Sequence, residues 1–293
     1  MNDSKLVIFG EVLFDCFPDG SRVLGGAPFN VAWHCQAFGL NPLFISRIGE
    51  DSMGSEIQTA MKKWNMNTNG IQQDAVHVTG VVDVIFKQGN PSYHIVENSA
   101  WDFINKEDLP AINKNSTLYH GSLALRNHVA AQCLEELKMQ CADSIFIDVN
   151  LREPWWKLAQ INSIMRDSSW LKINDEELLL IVPDEKDIES TARFLLNQLA
   201  LKLIIVTKGS AGAIAISHNE SASVQPEITT NVVDTVGAGD AFCSVVLLGL
   251  QKDWSLKDTL FRAQQFASAV VGQRGATTQD MNFYIPFIEN WNL

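Results

Sequence analysis

The sequence is short of positive charge. Against 34 Asp and Glu it carries 22 Lys and Arg over 293 residues, a formal net charge of −12. A nucleic-acid binder needs a basic face to displace counterions, so that class is excluded. An anionic ligand remains open only through local positive potential or a metal ion. Long apolar runs are missing as well. The longest, "AFCSVVLLGL" at 241–250, is too short to cross a bilayer, and no membrane partner is expected. No secretory leader is expected ahead of "KLVIFG" at 5–10. Cysteine is sparse: Cys16, Cys35, Cys133, Cys141 and Cys243. The number is odd, with no CxxC pair and no Cys/His cluster, which reads as reduced, mostly buried thiols in the cytoplasm. Internal repeats and low-complexity tracts are also lacking.

What is present is ordinary for a globular enzyme: 46% hydrophobic and 19% charged residues. The length suits one large α/β domain or two small ones, with a core that needs no disulfide or structural metal. Short apolar runs alternate with longer periodic segments. Strands are expected at 5–10, 43–49, 117–122, 144–150, 170–174 and 203–209, and helix-length segments lie at 28–38, 52–65, 127–140 and 187–199. Such alternation indicates βαβ units and a mostly parallel sheet flanked by helices on both faces, the doubly wound α/β class. Strands covered on both faces read as apolar runs without polar alternation. Two helices, about 238–251 and 255–272, are expected to end the chain.

Residues 12–24 and 79–97 break the rhythm, giving strand-like pieces with no helix between them. Gly89, Asn90 and Pro91 read as a turn, and Val82, Val84 and Phe86 alternate as in a sheet with one covered face. These regions form a small β layer outside the main sheet, either a lid over a cleft or an edge extension.

Several stretches bear chemistry. In "DTVGAGDAF", 234–242, a strand-like segment "TTNVVDT" runs into a glycine-rich turn before an apolar helix. Helix N-termini offer free N–H groups and a partial positive charge, an anion site. There is no GK[ST] of a Walker loop and no third glycine of a dinucleotide fingerprint. Asp240 is either a helix cap or a catalytic group. In "GGAPFNVA", 25–32, Gly25 and Gly26 precede a helix that Pro28 can open. Asn30 is either a capping residue or an amide for a polyol. Asp15 is a lone carboxylate in the apolar "GEVLFDCF", 10–17. It lies either on a solvent face or aimed at a polar ligand.

"DVNLREPWW", 148–156, puts Asn150 and Arg152 at the carboxyl end of a strand, where open α/β sheets bind ligands. Arg152 is either a fork for phosphate or carboxylate or the partner of a nearby acid such as Glu153. Asn174 and Glu177 in "KINDEE" could hold a hydrated cation or be a helix start with acids favoured by the dipole. "VTKGSAGA", 206–213, with Lys208, Gly209 and Gly212, is a nucleotide loop or a plain hairpin turn.

Taken in order, "GGAPFNVA", "GEDSMG" (49–54), "DVNLR", "NDEE", "VTKG..G" and "DTVGAGDAF" resemble the ribokinase-like (PfkB) carbohydrate kinase family over about residues 5–280. The likeness is strongest to fructokinases, through the form "GGAPxNVA", Gly121–Ser122, and "DVNLR" followed by Pro154–Trp155. The resemblance implies one ribokinase-like kinase domain over 1–293, with lid strands from about 12–24 and 79–97. By resemblance, Asp240 is the catalytic base and the N–H groups of Gly237, Ala238 and Gly239 form an anion hole. Asp15, Gly25, Gly26, Asn30 and the lid residue Asn98 hold sugar hydroxyls, and Arg152 sits beside the phosphoryl group or the sugar. Asn174 and Glu177 organise Mg²⁺ through water, while Thr207, Lys208, Gly209 and Gly212 contact the nucleotide. Asp234 and Val236 stand near a monovalent cation, K⁺, with the segment around Gly275. The segment between Asp15 and Gly25 is short for the family, which points to a reduced lid.

The implied reaction takes ATP and a small sugar, fructose first, to ADP and a sugar phosphate, with Mg²⁺. The implied assembly is a homodimer in the cytoplasm. Kinases for 2-keto-3-deoxygluconate, ribose or a nucleoside are the alternatives, and a non-catalytic binding protein on this fold is a third. The segment 92–103 has no Arg or Lys, which favours a neutral sugar over an acid. The helix N-terminus is expected to keep Asp240 ionised, with an ordinary pKa near ~4.

Overall fold

In the computed structural model, which describes residues 5–87, 90–141, 144–183, 187–226 and 232–293, the strand β1 (Leu6–Phe9) is buried throughout. Leu6 and Ile8 join one apolar cluster and Val7 and Phe9 join another. The period of two therefore feeds two cores, one on each face of the sheet. The lid strands β2 (Leu13–Cys16) and β3 (Arg22–Gly25) come next, then α1 (Ala27–Ala37), β4 (Leu43–Gly49), α2 (Ser52–Lys63) and β5 (Ile71–Asp74). The chain returns to the lid with β6 (Gly80–Lys87) and β7 (Asn90–Ile95). It then alternates through β8 (Thr117–His120), α3 (His128–Gln140), β9 (Ile145–Asp148), α4 (Leu158–Arg166), β10 (Trp170–Asn174), α5 (Asp175–Ile181), α6 (Ile188–Gln198) and β11 (Leu203–Thr207). The hairpin β12 (Ala213–Ile216) and β13 (Ser221–Val224) precedes α7 (Ala238–Gln251), α8 (Leu256–Val271) and α9 (Ile285–Trp291).

The main sheet has nine strands in the order β13-β12-β11-β10-β9-β8-β1-β4-β5. Pairings are parallel from β11 to β5, and antiparallel at β11–β12 and β12–β13. From β1 the chain builds outward to β4 and β5 on one side, then returns to the other side at β8. This reversal opens a crevice at the strands' carboxyl ends. Helices α1, α7, α8 and α9 carry residues of one core, and α3 to α6 residues of the other. The lid is a four-stranded sheet, β3-β2-β6-β7. Asp15 pairs with Val23 and Val82, and Val82 with Ile95, so these side chains share a face. "GEDSMG" anchors the lid's base. Asp51 caps α2 through Gly54 N–H at 2.8 Å and takes the N–H and hydroxyl of Thr79, both at 2.8 Å, just ahead of β6.

The expected strands and helices all form, with no end moved by more than two residues. Three departures need correction. Val232 to Thr235 of "TTNVVDT" is irregular, and residues 229–231 lie outside the described ones. Asn90 and Pro91 belong to β7 rather than to a turn, and Gly89 lies outside the described residues. A third helix, α9, follows the two expected at the end of the chain. Its Trp291 and the preceding Tyr284 pack with Phe38, just past α1, and Tyr284 also packs with Phe266 of α8. Among the described residues no helix is long and apolar enough to cross a membrane.

Candidate active site

Two helices begin at the crevice from glycines in left-handed or unusual backbone conformations. Gly26, at φ 108°, precedes α1, and a Cβ there would stand 2.6 Å from the Glu11 carbonyl oxygen. Gly237, at φ 80°, precedes α7, and a Cβ there would run into Ala276. Only glycine meets both demands. Ala276 is held in turn by His34, whose ring nitrogens lie 3.0 Å from the Ala276 carbonyl and from the Tyr284 hydroxyl. Burial pushes His34 down to about 4, so it stays neutral.

Asp240 occupies the third position of α7 and is buried. It does not cap the helix: no side-chain cap bond forms at its start. Its Oδ2 instead accepts from Asn30 Nδ2 at 2.8 Å. Asn30 likewise caps nothing, and its Oδ1 is buried without a partner. The expectation that Asp240 keeps an ordinary pKa is overturned. Burial raises it to about 6, with Asn30, Lys172 and Arg152 pulling down and Asp148 pushing up. Desolvation outweighs the helix dipole here.

Ala238 and Gly239 form the first turn of α7, whose N–H groups lack intrahelical acceptors. Behind Gly239 lies a buried cation. Lys172 Nζ would come within 3.3 Å of a Cβ at Gly239 and donates to both oxygens of Asp148 at 2.9 and 3.1 Å. Strand register makes this pair, because Lys172 of β10 stands opposite Asp148 of β9. Burial opposes the Lys172 charge, but Asp148 overrides it and keeps the amine protonated. Cys243 also contacts Asp148, at 3.3 Å.

The Asn174–Glu177 element is a reciprocal cap on α5. Asn174 Oδ1 takes Glu177 N–H at 2.7 Å, and Glu177 Oε2 takes Asn174 N–H at 2.9 Å. Glu177 Oε1 reaches further, accepting Leu151 N–H at 2.7 Å, so it positions the loop that carries Arg152. Burial and then Asp148 raise the Glu177 carboxyl. Arg152 is exposed and forms no pair with Glu153, which instead accepts Trp156 Nε1 at 2.9 Å. Its charge reaches both Asp240 and Glu11. Glu11, two residues past the end of β1, is buried. It accepts Ala27 N–H at the start of α1, leaves Oε2 unpartnered, and is pushed up to about 7 by burial.

Asp15 is half-buried on the lid with its carboxyl 3.6 Å from where a Cβ at Gly25 would lie, and burial raises it to about 6. Tyr93 is raised by burial and then by the charges of Asp15 and Asp234, so this lid face looks toward the loop ahead of α7. Asn98 stands exposed at φ 57° where the chain leaves the lid. Thr207 ends β11, and Lys208 to Gly212 is the turn into β12, closed by Lys208 N–H to the Gly212 carbonyl at 2.7 Å. Asp234 takes Val236 N–H at 3.0 Å and Gly275 N–H at 3.1 Å, which brings the two expected cation-site segments together.

Sequence reasoning passed over Glu11, Asp148 and Lys172. Their signal was present: a charged residue inside or beside an apolar run that reads as a buried strand. With Asp240 and Glu177 they put four carboxyls against two cations, Lys172 and Arg152. That excess suits a site where a cation arrives with an anionic ligand. Among the described residues no cluster of three or more His, Cys, Asp or Glu is placed to hold a metal ion.

The model of pfkB family carbohydrate kinases matches residues 5–282. The chain belongs to this family. Among family members, Fructokinase-2 of Oryza sativa subsp. japonica is 30% identical, over 90% of this chain and 86% of that protein. The fructokinase of Vibrio cholerae O395, solved with fructose, ADP and calcium ion, is 25% identical with a TM-score of 0.81 over 97% and 99% of the two chains. The fructokinase of Xylella fastidiosa with bound ATP shares the fold over the whole of both chains, TM-score 0.87 at 18% identity. The chain is therefore a carbohydrate kinase with the ribokinase-like architecture.

Proposed function

We propose that this kinase transfers the γ-phosphoryl group of ATP to a hydroxyl of fructose, with Asp240 as base. The observation that carries the reading is the buried Asp240–Asn30 pair at the N-terminus of α7. The hydroxyl proton goes to Asp240, the hydroxyl oxygen bonds to phosphorus, and the bond from phosphorus to the β–γ bridging oxygen breaks to release ADP. A carboxylate raised to about 6 is a stronger base than a free Asp yet stays ionised at neutral pH. N–H groups of Gly237, Ala238 and Gly239, backed by Lys172, face the charge that develops on the phosphoryl oxygens. Asp15, Gly25, Gly26, Asn30 and Asn98 hold the sugar, and Arg152 lies between sugar and phosphoryl group. Thr207 and the turn Lys208–Gly212 take the nucleotide side.

Mg²⁺ bound with ATP would supply charge neutralisation, with Asn174 and Glu177 orienting its water shell. K⁺ near Asp234, Val236 and Gly275 is the monovalent ion proposed. Five unpaired thiols, four of them buried, fit the reducing cytoplasm. Ile85, left half-exposed on the lid, fits a homodimer made through the lid. ADP release across a panel of sugars, ribosides and 2-keto-3-deoxygluconate tests the reading. Fructose should give the highest kcat/KM. No stimulation by any acceptor, with sugars still raising Tm, would establish a binding protein instead.

A further inference from the structure

Arg126 lies in the segment after β8, and its guanidinium gathers three parts of the chain. Nε and Nη2 donate to Asp102 at 2.6 and 2.7 Å, a two-point pair with both side chains almost wholly buried at 5% and 2% exposure. Nη2 also donates to the carbonyl of Val96, just past β7, at 2.6 Å. The Val96 carbonyl accepts Ser99 Oγ too, at 3.1 Å. The guanidinium carbon lies 4.1 Å from the Trp101 ring centre and 4.6 Å from that of Trp155. Trp101 packs directly on Gly80, the first residue of β6, where no Cβ would fit. Trp155 follows Arg152 by three residues.

Thus one buried cation touches the chain's exit from the lid at Val96 and, through Trp101 on Gly80, its re-entry into the lid at β6. It also touches the loop of Arg152, through Trp155. Asn98, exposed at φ 57°, lies in the short segment between two members of this cluster, Val96 and Trp101. A guanidinium suits this place because its planar fork pairs in two points and stacks on aromatic faces, which an ammonium cannot do together. Ion pairs at this depth give little net stability over an apolar core, so a role in geometry accounts for the arrangement better.

We propose that Arg126 is a positioning residue that sets the lid, with Asn98, and the Arg152 loop in one fixed relation across the sugar site. The part that concerns the sugar rests on the kinase reading above. The part that concerns the lid does not.

The test uses the full chain with Arg126→Lys and, so that no buried carboxylate is left unpaired, the double variant Arg126→Met with Asp102→Asn. In unliganded protein, amide exchange across Gly80–Ile95 should quicken at least ~10-fold, with β1 and β8 to β10 unchanged. In turnover, KM for the sugar should rise ~10-fold or more while kcat at saturating sugar stays within about threefold, and ADP release without sugar should grow relative to transfer. A folded double variant with wild-type exchange, or with wild-type KM and coupling, overturns the proposal. So does loss of the native fold in both variants, since the cluster would then serve the fold alone. Wild-type protein showing no sugar-dependent turnover sinks the kinase reading, and the exchange measurement still decides the lid.

Discussion

Asn30 and Asp240 are 210 residues apart in sequence and meet at 2.8 Å, amide to carboxylate, between the first turns of α1 and α7. The amide stabilises the charged form of the carboxyl against burial. A hydrogen bond to a charged group is worth roughly 1.5–3 kcal/mol, which corresponds to about one to two pH units. Asn30→Leu should therefore move the acid limb of kcat/KM upward by about that amount. An unmoved limb would mean the pair does not tune the base.

Asp240→Asn should lose at least ~10²-fold in kcat while the protein stays folded. Near-normal turnover would remove Asp240 as base. In the intact chain, kcat/KM should rise with pH through about 6, where the Asp240 carboxyl ionises.

Stability should run the other way. Asp240, Asp15 and Glu11 are raised to about 6, 6 and 7, above their ordinary values of 3.8, 3.8 and 4.5. The folded state thus binds more protons than the unfolded one between about pH 4 and 7. The stabilisation from their protonated forms is complete below pH 4 and is lost as pH rises through 6 to 7. At pH 8, Asp240→Asn should raise Tm, because it removes a buried charge. A lowered Tm at that pH would contradict the burial account.

Lys172→Met should strand Asp148 as an unpaired buried carboxylate. Breaking such a pair costs roughly 3–5 kcal/mol, readable as a lower denaturant midpoint. Adding Asp148→Asn should restore most of the stability but not the activity, since the charge behind Gly239 stays absent. Equal stability of the single and double variants would show that the pair is not electrostatically coupled.

Gly26→Ala puts a Cβ 2.6 Å from the Glu11 carbonyl oxygen at φ 108°. Strain of this kind costs on the order of 1–3 kcal/mol, and relief requires the start of α1 to move. Tm should fall and KM for the sugar should rise together. A change in Tm alone would separate Gly26 from the sugar site.

The sheet was legible because its strands are covered twice. "KLVIFG", "LFISRIG" and "LIIVTKG" carry no polar alternation, and each became a strand of the main sheet. The helix α5 showed only as an alternative reading of its start at Asn174–Glu177, since seven residues give too few turns to show a period. The strands β12 and β13 were hidden because "AIAI" and "SASV" are built from small and polar residues with no run of large apolar ones. Within the site, glycine turns and the lone Asp15 marked themselves by residue type. Glu11 and Lys172 carried the same mark, a charge in or beside an apolar run, but their partners are set by register and depth. Lys172 matters by standing opposite Asp148, a fact of pairing between strands that no local window contains. The pKa of Asp240 was misjudged for a similar reason: dipole strength can be read from a helix start, but desolvation depends on everything packed around it.

Two helices that pack together aim their amino ends into one crevice, each released by a glycine whose backbone no other residue tolerates. On the proposed reading the phosphate-facing donors are the main-chain N–H groups of Gly237, Ala238 and Gly239, which no substitution short of proline removes. On the same reading, side chains around the sugar can be exchanged one at a time, which leaves acceptor preference free to change. The phosphate-facing half can change only by relocating a helix start, which disturbs the core beneath it. Such a division lets a single scaffold diversify its acceptors while its donor chemistry stays constant.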